Sequence, residues 1–224
     1  MRPLVISLGG SVVVPQGKPD VAFLQQFGSF ARKLARKRKL VIVTGGGVTA
    51  RNYIEAARKA KLSQVIQDKI GITATRLNAQ LLIAFLGIKQ EIPQSIAQTC
   101  NLAKKQRITI AGGMMPSTTT DGIAALIAAS LKAELINMTN VAGLYNKDPA
   151  KYKNAKLIRK ISSKEFLKKV SKIKEKPGQH FILDMLAAKT IAKHKIKAVI
   201  LGKNLQNLQS YLKGKSFVGT VIIP

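Results

Sequence analysis

The sequence predicts a three-layer α/β/α sandwich with a largely parallel central sheet, and three observations predict it. Short apolar runs of strand length break at glycines, and each gives way to a segment with helical apolar spacing; the unit occurs twice within the first 60 residues and recurs later. The chain has 224 residues and is 46% hydrophobic, enough for one large domain around a real core. No apolar run approaches the roughly 20 residues that a membrane-spanning helix needs, and Met1 to Gly10 reads as a strand entering glycines rather than as a cleavable leader, so a cytoplasmic protein is expected.

Leu4 to Leu8 is the first strand, ending at Gly9-Gly10-Ser11, and Val21 to Lys37 carries helical spacing at Phe23, Phe27, Phe30 and Leu34. Leu40 to Val43 is a second buried strand, breaking at Thr44-Gly45-Gly46-Gly47 before a helix over about Val48 to Ala60. A long helix over about Ser63 to Leu86 follows, free of proline. The strand Ile108 to Ala111 stops at Gly112-Gly113, and a polar loop leads to an alanine-rich helix, Asp121 to Leu131. Strand Glu134 to Met138 ends at Thr139-Asn140. The last third holds a lysine-rich stretch, Lys151 to Lys176, with a helix over about Ser163 to Val170, then helix Asp184 to Lys193, strand Ala198 to Leu201, helix Asn204 to Lys213 and strand Gly219 to Ile223. With no internal repeat and no low-complexity linker, a single unit with two unequal lobes is the economical reading.

The charge is lopsided, 38 Lys+Arg against 10 Asp+Glu, a formal net charge of +28. Nucleic-acid binding through released counterions is one reading, and a lysine-coated surface of no specific purpose is the other. The second is favoured because the lysines are spread along the chain and tryptophan is absent. The densest run, Arg32 to Lys39, most simply ends a helix, where cations suit the dipole. The aspartates tell more: Asp20, Asp68, Asp121, Asp148 and Asp184 are all there are, and four of them fall inside the motifs below. One cysteine, Cys100, excludes an intrachain disulfide and a cysteine-based zinc cluster and reads as a small buried residue. His180 and His194 are too few for a histidine-rich site and read as exposed. No protein-held metal site is expected; any metal is a hard cation carried mainly by substrate phosphates.

Three predicted strands end in Gly9-Gly10, Gly45-Gly46-Gly47 and Gly112-Gly113, at the carboxyl ends where open α/β sheets place ligands. Residues without a Cβ let amides approach phosphate oxygens, and the positive end of a following helix points to the same place. Neither G-x-x-x-x-G-K-[ST] nor G-x-G-x-x-G occurs, so phosphates are held by another architecture.

Ile6-Ser7-Leu8-Gly9-Gly10-Ser11, Thr44-Gly45-Gly46-Gly47 with Arg51 a turn later, Gly112-Gly113 before a Thr-rich loop, and Thr139-Asn140-Val141-x-Gly143-Leu144-Tyr145-x-x-Asp148-Pro149 resemble, in order and over essentially the whole chain, the signature of the amino acid kinase superfamily. Within it, Asp68-Lys69-Ile70-Gly71-Ile72 with Thr75-Arg76-Leu77-Asn78-Ala79, and Met114 to Asp121, resemble the acceptor segments of the archaeal-type uridylate kinase family. Asp184 to Lys189 and Gly219-Thr220 are similar to that family's D-P-L-A-A-K and terminal G-T patterns.

The resemblance implies transfer of a phosphoryl group from ATP to UMP with Mg²⁺ on the nucleotide phosphates, an acceptor lobe over about residues 1–131 and an ATP-binding lobe over 132–224, and a homo-oligomer, a hexamer in size, with the long helix as an assembly surface. Carried over by position, UMP would meet Gly46, Asp68, Met114, Met115, Pro116, Ser117, Thr118, Thr119 and Thr120. ATP would meet Gly10, Ser11, Gly47, Arg51, Thr139, Tyr145 and Asp148, and Ser11, Arg51 and Asp121 would act on the reacting phosphates. Each has a plainer alternative. Arg51 can solvate a helix face, Asp121 can serve a helix start, Tyr145 can pack beside Pro149 and Asp148 can begin a turn. Arg76 and Asn78 read as helix or subunit-contact residues. Ser7 stands where many superfamily members have lysine, Ala142 where aspartate is usual, Ser117 where glycine is and Met185 where proline is. Two other activities remain open on sequence alone: a relative using another small acceptor, or a nucleotide-binding or nucleic-acid-binding regulator without turnover.

Overall fold

The computed structural model describes residues 2–149, 151–172 and 183–224; His180 and the end of the lysine-rich stretch lie outside them. Strands β1 (Leu4–Leu8), β2 (Leu40–Thr44), β3 (Ile108–Ala111), β4 (Glu134–Thr139), β5 (Lys160–Ser162), β6 (Ala198–Gly202) and β7 (Thr220–Ile223) form one sheet in the order β3-β2-β1-β4-β6-β7-β5. β3, β2, β1, β4 and β6 are parallel to their neighbours. β7 runs antiparallel to β6 and carries β5 parallel to itself.

Helices α1 (Gly10–Val13), α2 (Val21–Ala35), α4 (Gln64–Leu86) and α9 (Leu205–Leu212) cover one face, with α3 (Gly47–Lys59) packed on α4. Helices α5 (Ile96–Lys105), α6 (Thr120–Ser130), α7 (Ser163–Ser171) and α8 (Met185–Lys193) cover the other. Strand side chains alternate between the two cores. Leu4, Ile6 and Leu8 meet the α2–α4 side, while Val5 joins the α6–α8 side. With helices on both faces, β1 and β2 are buried at every position, which is why they read as unbroken apolar runs rather than alternating ones.

Helix starts match local chemistry. Asp20, Ser95, Thr119, Asp184 and Asn204 each accept a first-turn amide from the helix that follows, and Ser162 with Glu165 forms a capping box on α7. Gly87 ends α4 in the left-handed region. α1, the 3₁₀ turn at Pro15–Gly17, α5 and β5 are not among the elements that the sequence predicts. Nor is a reversed pair of strands, β7 and β5, at one edge of the sheet. That reversal follows from the return segment after α9: Asn207 accepts from the Val218 amide and donates to its carbonyl, holding the chain beside the start of α9, so β7 must run back down.

All strands before residue 132 lie on one side of the β1/β4 seam and all later ones on the other. The seam itself is continuous, from Leu4 opposite Glu134 to Leu8 opposite Met138, so both halves share one sheet.

Candidate active site

The first and second glycine loops touch backbone to backbone above the carboxyl ends of β1 and β2. A Cβ on Gly10 would lie 1.9 Å from the Gly47 nitrogen, and Gly47 itself has φ of +63°, so neither position tolerates a side chain. Gly47 begins α3, whose opening amides have no partners of their own in the preceding turn and face the same space as Gly10 and Ser11. Arg51 follows one turn on, exposed to solvent.

The third loop joins them through α4. Thr75 Oγ1 accepts from the Gly113 amide at 2.6 Å, and Thr44 Oγ1 donates to the Thr75 carbonyl at 2.9 Å. Asn78, buried, donates to the Gly45 carbonyl at 2.7 Å, while Arg76 Nε donates to the Gly113 carbonyl at 3.2 Å. Thr75, Arg76 and Asn78 therefore set the glycine loops in place. A buried asparagine in the middle of an apolar helix was the available signal, because a buried amide needs partners.

Between α3, α4 and the third loop lies a cavity of about 230 Å³, lined by Asp68, Gly113, Met115, Ser117, Thr118, Thr119 and Thr120 with Ala50, Gly71, Ile72 and Thr75. Asp68 Oδ2 accepts from the Ser117 amide at 2.8 Å and its hydroxyl at 3.2 Å, and Oδ1 accepts from Gln64 at 2.8 Å. The loop is thus tied to the helix across the cavity mouth. Gly46, at the start of α3, packs on Ala50 beside this cavity without lining it. Met114 turns partly into the core toward Thr99 on α5, and Pro116 is exposed at the loop tip; neither lines the cavity. A larger cavity, about 440 Å³, sits at the opposite ends of the strands, away from every glycine loop.

At the cleft floor the register sets Ser7 of β1 opposite Asn137 of β4. Both reach Asp121 in the first turn of α6: Ser7 Oγ donates to Oδ1 at 2.5 Å and Asn137 Nδ2 donates to the same oxygen at 2.7 Å. Burial pushes the Asp121 carboxyl up to about 7; nearby Asp184 adds to the rise, and the Ser7 and Asn137 hydrogen bonds pull against it. The Oδ1 of Asn137 is buried and meets no donor among the described residues. Asp121 is not the cap of α6; Thr119 is, and its hydroxyl also donates to Asp184. Ser7 is thereby part of the Asp121 cluster, a partner that only the sheet register supplies.

The segment after β4 is fixed from the far end of the chain. Thr220 Oγ1 accepts from the Leu144 amide at 2.8 Å and donates to the Ile158 carbonyl at 2.6 Å, with Gly143 pressed against it. Thr139 donates to Asn140, and Tyr145 is half-buried and bridged to Leu157. The Asp148 carbonyl accepts from the amides of Lys151 and Tyr152, so the turn role is present there. Among the described residues no group of three or more His, Cys, Asp or Glu could hold a metal. Cys100 is half-buried rather than buried, and burial raises its thiol pKa; His194 is exposed.

Known proteins resemble this chain in sequence and fold. A sequence profile of the amino acid kinase family matches residues 2–202. Uridylate kinase of Thermococcus kodakarensis is 39% identical over 225 residues, 99% of each chain, and that of Archaeoglobus fulgidus 37% identical over 221 residues, 98% of this chain and 99% of the relative. The crystal structure of uridylate kinase from Archaeoglobus fulgidus superposes with a TM-score of 0.88 at 36% identity, covering 99% of this chain and all of that one. UMP kinase from Ureaplasma parvum, at 22% identity and a TM-score of 0.81, shares the fold.

Proposed function

The chain belongs to the amino acid kinase family, and we infer that it transfers the γ-phosphoryl group of ATP to UMP, giving UDP and ADP, a step of pyrimidine nucleotide synthesis. The observation that carries this reading is the backbone contact between the Gly10 and Gly47 loops beside a hydroxyl-lined cavity closed by Asp68. Phosphoryl transfer asks little covalent chemistry of a protein; it asks for two phosphorylated ligands in line with their charge neutralised.

UMP is assigned to the cavity of Asp68 and the 114–120 loop. A carboxylate there can accept both ribose hydroxyls, and the threonine hydroxyls and loop amides suit the base and phosphate. ATP is assigned to the opposite side of the glycine loops. Its phosphates would lie on the amides of Gly10, Ser11 and Gly47 under the positive end of α3, with Arg51 as a cationic fork and Thr139, Tyr145 and Asp148 at the nucleoside. The attacking UMP oxygen is already ionised at neutral pH, so Asp121 is not needed as a base. It is a positioning residue whose charge depends on pH. When bound, Mg²⁺ neutralises the donor phosphates. The Asp121 carboxylate and the donorless Oδ1 of Asn137 are the hard oxygen atoms at the cleft floor that fit such a cation.

A homohexamer in the cytoplasm completes the reading. Tyr53, Val65 and Leu77 on α3 and α4 stand 66%, 55% and 61% exposed, apolar side chains that subunit contact would cover. No helix among the described residues is long and apolar enough to cross a membrane. The test is ADP release from Mg-ATP with UMP, CMP, dUMP, isopentenyl phosphate and carbamate in parallel, with light scattering for subunit number. Turnover with UMP is the expected result; release with another acceptor and none with UMP would overturn it.

A further inference from the structure

The chain's excess of cations looks diffuse along the sequence, yet the fold collects a large share of it at one end of the sheet. The five parallel strands start level with one another: Leu4 lies opposite Leu40 and Glu134, Leu40 opposite Ile108, and Leu135 opposite Ala198. Every segment that enters one of these strands carries exposed or half-buried cations, Arg2 before β1, Lys39 before β2, Arg107 before β3, Lys132 before β4, and Lys195 and Lys197 before β6. Helices α2, α5 and α8 end at the same level, and each has basic residues in its last turn. Glu134 is the one carboxylate in these segments. Its charge is already taken up by Arg38 and Lys197, each at 3.6 Å, and by the Tyr211 hydroxyl.

We propose that this amino-end face is a docking surface for the phosphate backbone of a nucleic-acid duplex, separate from the catalytic cleft. Two open grooves of about 440 and 310 Å³ run side by side across it and share Lys132, so the cations line concave ground where field is focused. Strand spacing of about 4.8 Å sets the five entry segments over about 19 Å, wide enough for several successive phosphates. Exposed large apolar side chains lie elsewhere, among them Tyr53, Leu77, Met115 and Val218, so the face offers neither a base-stacking platform nor an apolar wedge for a bilayer. Recognition is therefore of backbone charge rather than of sequence. A second copy of the same face is excluded as occupant by like-charge repulsion. Helix carboxyl ends favour a cation or two each, Lys39 donates to the Lys104 carbonyl at the end of α5 and Lys197 pairs with Glu134, which leaves Arg2, Arg107 and Lys132 without such a role.

The experiment compares two variants of equal net charge, binding a random-sequence duplex by fluorescence anisotropy across a salt series. One replaces Arg2, Lys104, Lys105 and Lys193 by Gln on this face; the other replaces Lys59, Lys61, Lys153 and Lys156 by Gln, all exposed and beyond the opposite end of the sheet. For the first, affinity at low salt is expected to fall at least about 10-fold and the salt slope to flatten by about 0.9 for each phosphate that is no longer neutralised. The second should bind like the parent chain. Kinase activity of the first variant stays unchanged, which reports that it is folded and that the faces are distinct, and saturating Mg-ATP should leave the duplex bound. Equal losses in the two variants, displacement by Mg-ATP, no duplex binding at low salt, or capture by anionic vesicles without duplex binding would each overturn the proposal.

Discussion

The two ends of one sheet have opposite chemistry although the same strands supply both. At the carboxyl ends the chain strips side chains away, placing glycines, helix amino ends and four aspartates, Asp20, Asp68, Asp121 and Asp184, around a cleft. At the amino ends it keeps long side chains, nearly all cationic, around grooves with a single, already neutralised carboxylate. Backbone geometry builds the first end and tolerates almost no substitution. Side-chain charge builds the second, where no single residue is decisive.

The largest effect should come from forcing a side chain into the first end. Gly10→Ala places a methyl within 1.9 Å of the Gly47 nitrogen, so kcat/KM for both nucleotides should drop by at least about 100-fold, with an overpacking loss of about 1–3 kcal/mol in a denaturant titration, while duplex affinity is unchanged. Asp68→Asn should raise KM for UMP about 10-fold or more and leave KM for ATP alone, the size expected for hydrogen bonds to a charged group; initial-rate kinetics separate the two.

Asp121→Asn probes the cleft floor through pH. Its folded pKa of about 7 lies above the ordinary 3.8. Between those values the folded chain holds a proton that the unfolded chain has lost, so this group's contribution to stability falls as pH rises from about 4 to about 7 and stays low above that. The variant should lose that slope, melting higher than the parent at pH 8 and no higher at pH 4 in calorimetry. Its kcat profile should lose an inflection near 7. Smallest of all, Glu134→Gln should leave kinase activity within about two-fold and slightly tighten duplex binding, since it removes the one carboxylate that lines the two grooves there. A large kinase defect there would break the separation of the two ends.

Much of this organisation was legible in the sequence because it is local. Phe23, Phe27 and Leu34 declare α2, and glycine pairs after Leu8, Thr44 and Ala111 declare three strand ends. α5 was also within reach, with Ser95 as cap and Ile96, Cys100 and Ala103 at helical spacing. What escaped depends on partners far away in the chain. β5 is three residues that become a strand only beside β7, and Ser7 meets Asn137 and Asp121 only when register is known. The basic face escaped for the same reason: Arg2, Lys39, Arg107, Lys132 and Lys197 are separated by scores of residues and become neighbours only because parallel strands begin level.

Thr220 has a bearing on how the molecule comes into being. Ribosomes deliver β7 after every other strand, and until it arrives Leu144 and Ile158, already paired through the Ile158 amide and the Leu144 carbonyl, lack the Thr220 hydroxyl that ties them to the sheet. A nascent chain can therefore assemble β1 to β4, glycine loops included, while the stretch beyond Thr139 still lacks its tie to β7. Docking of β7 is then the event that anchors this stretch to the sheet.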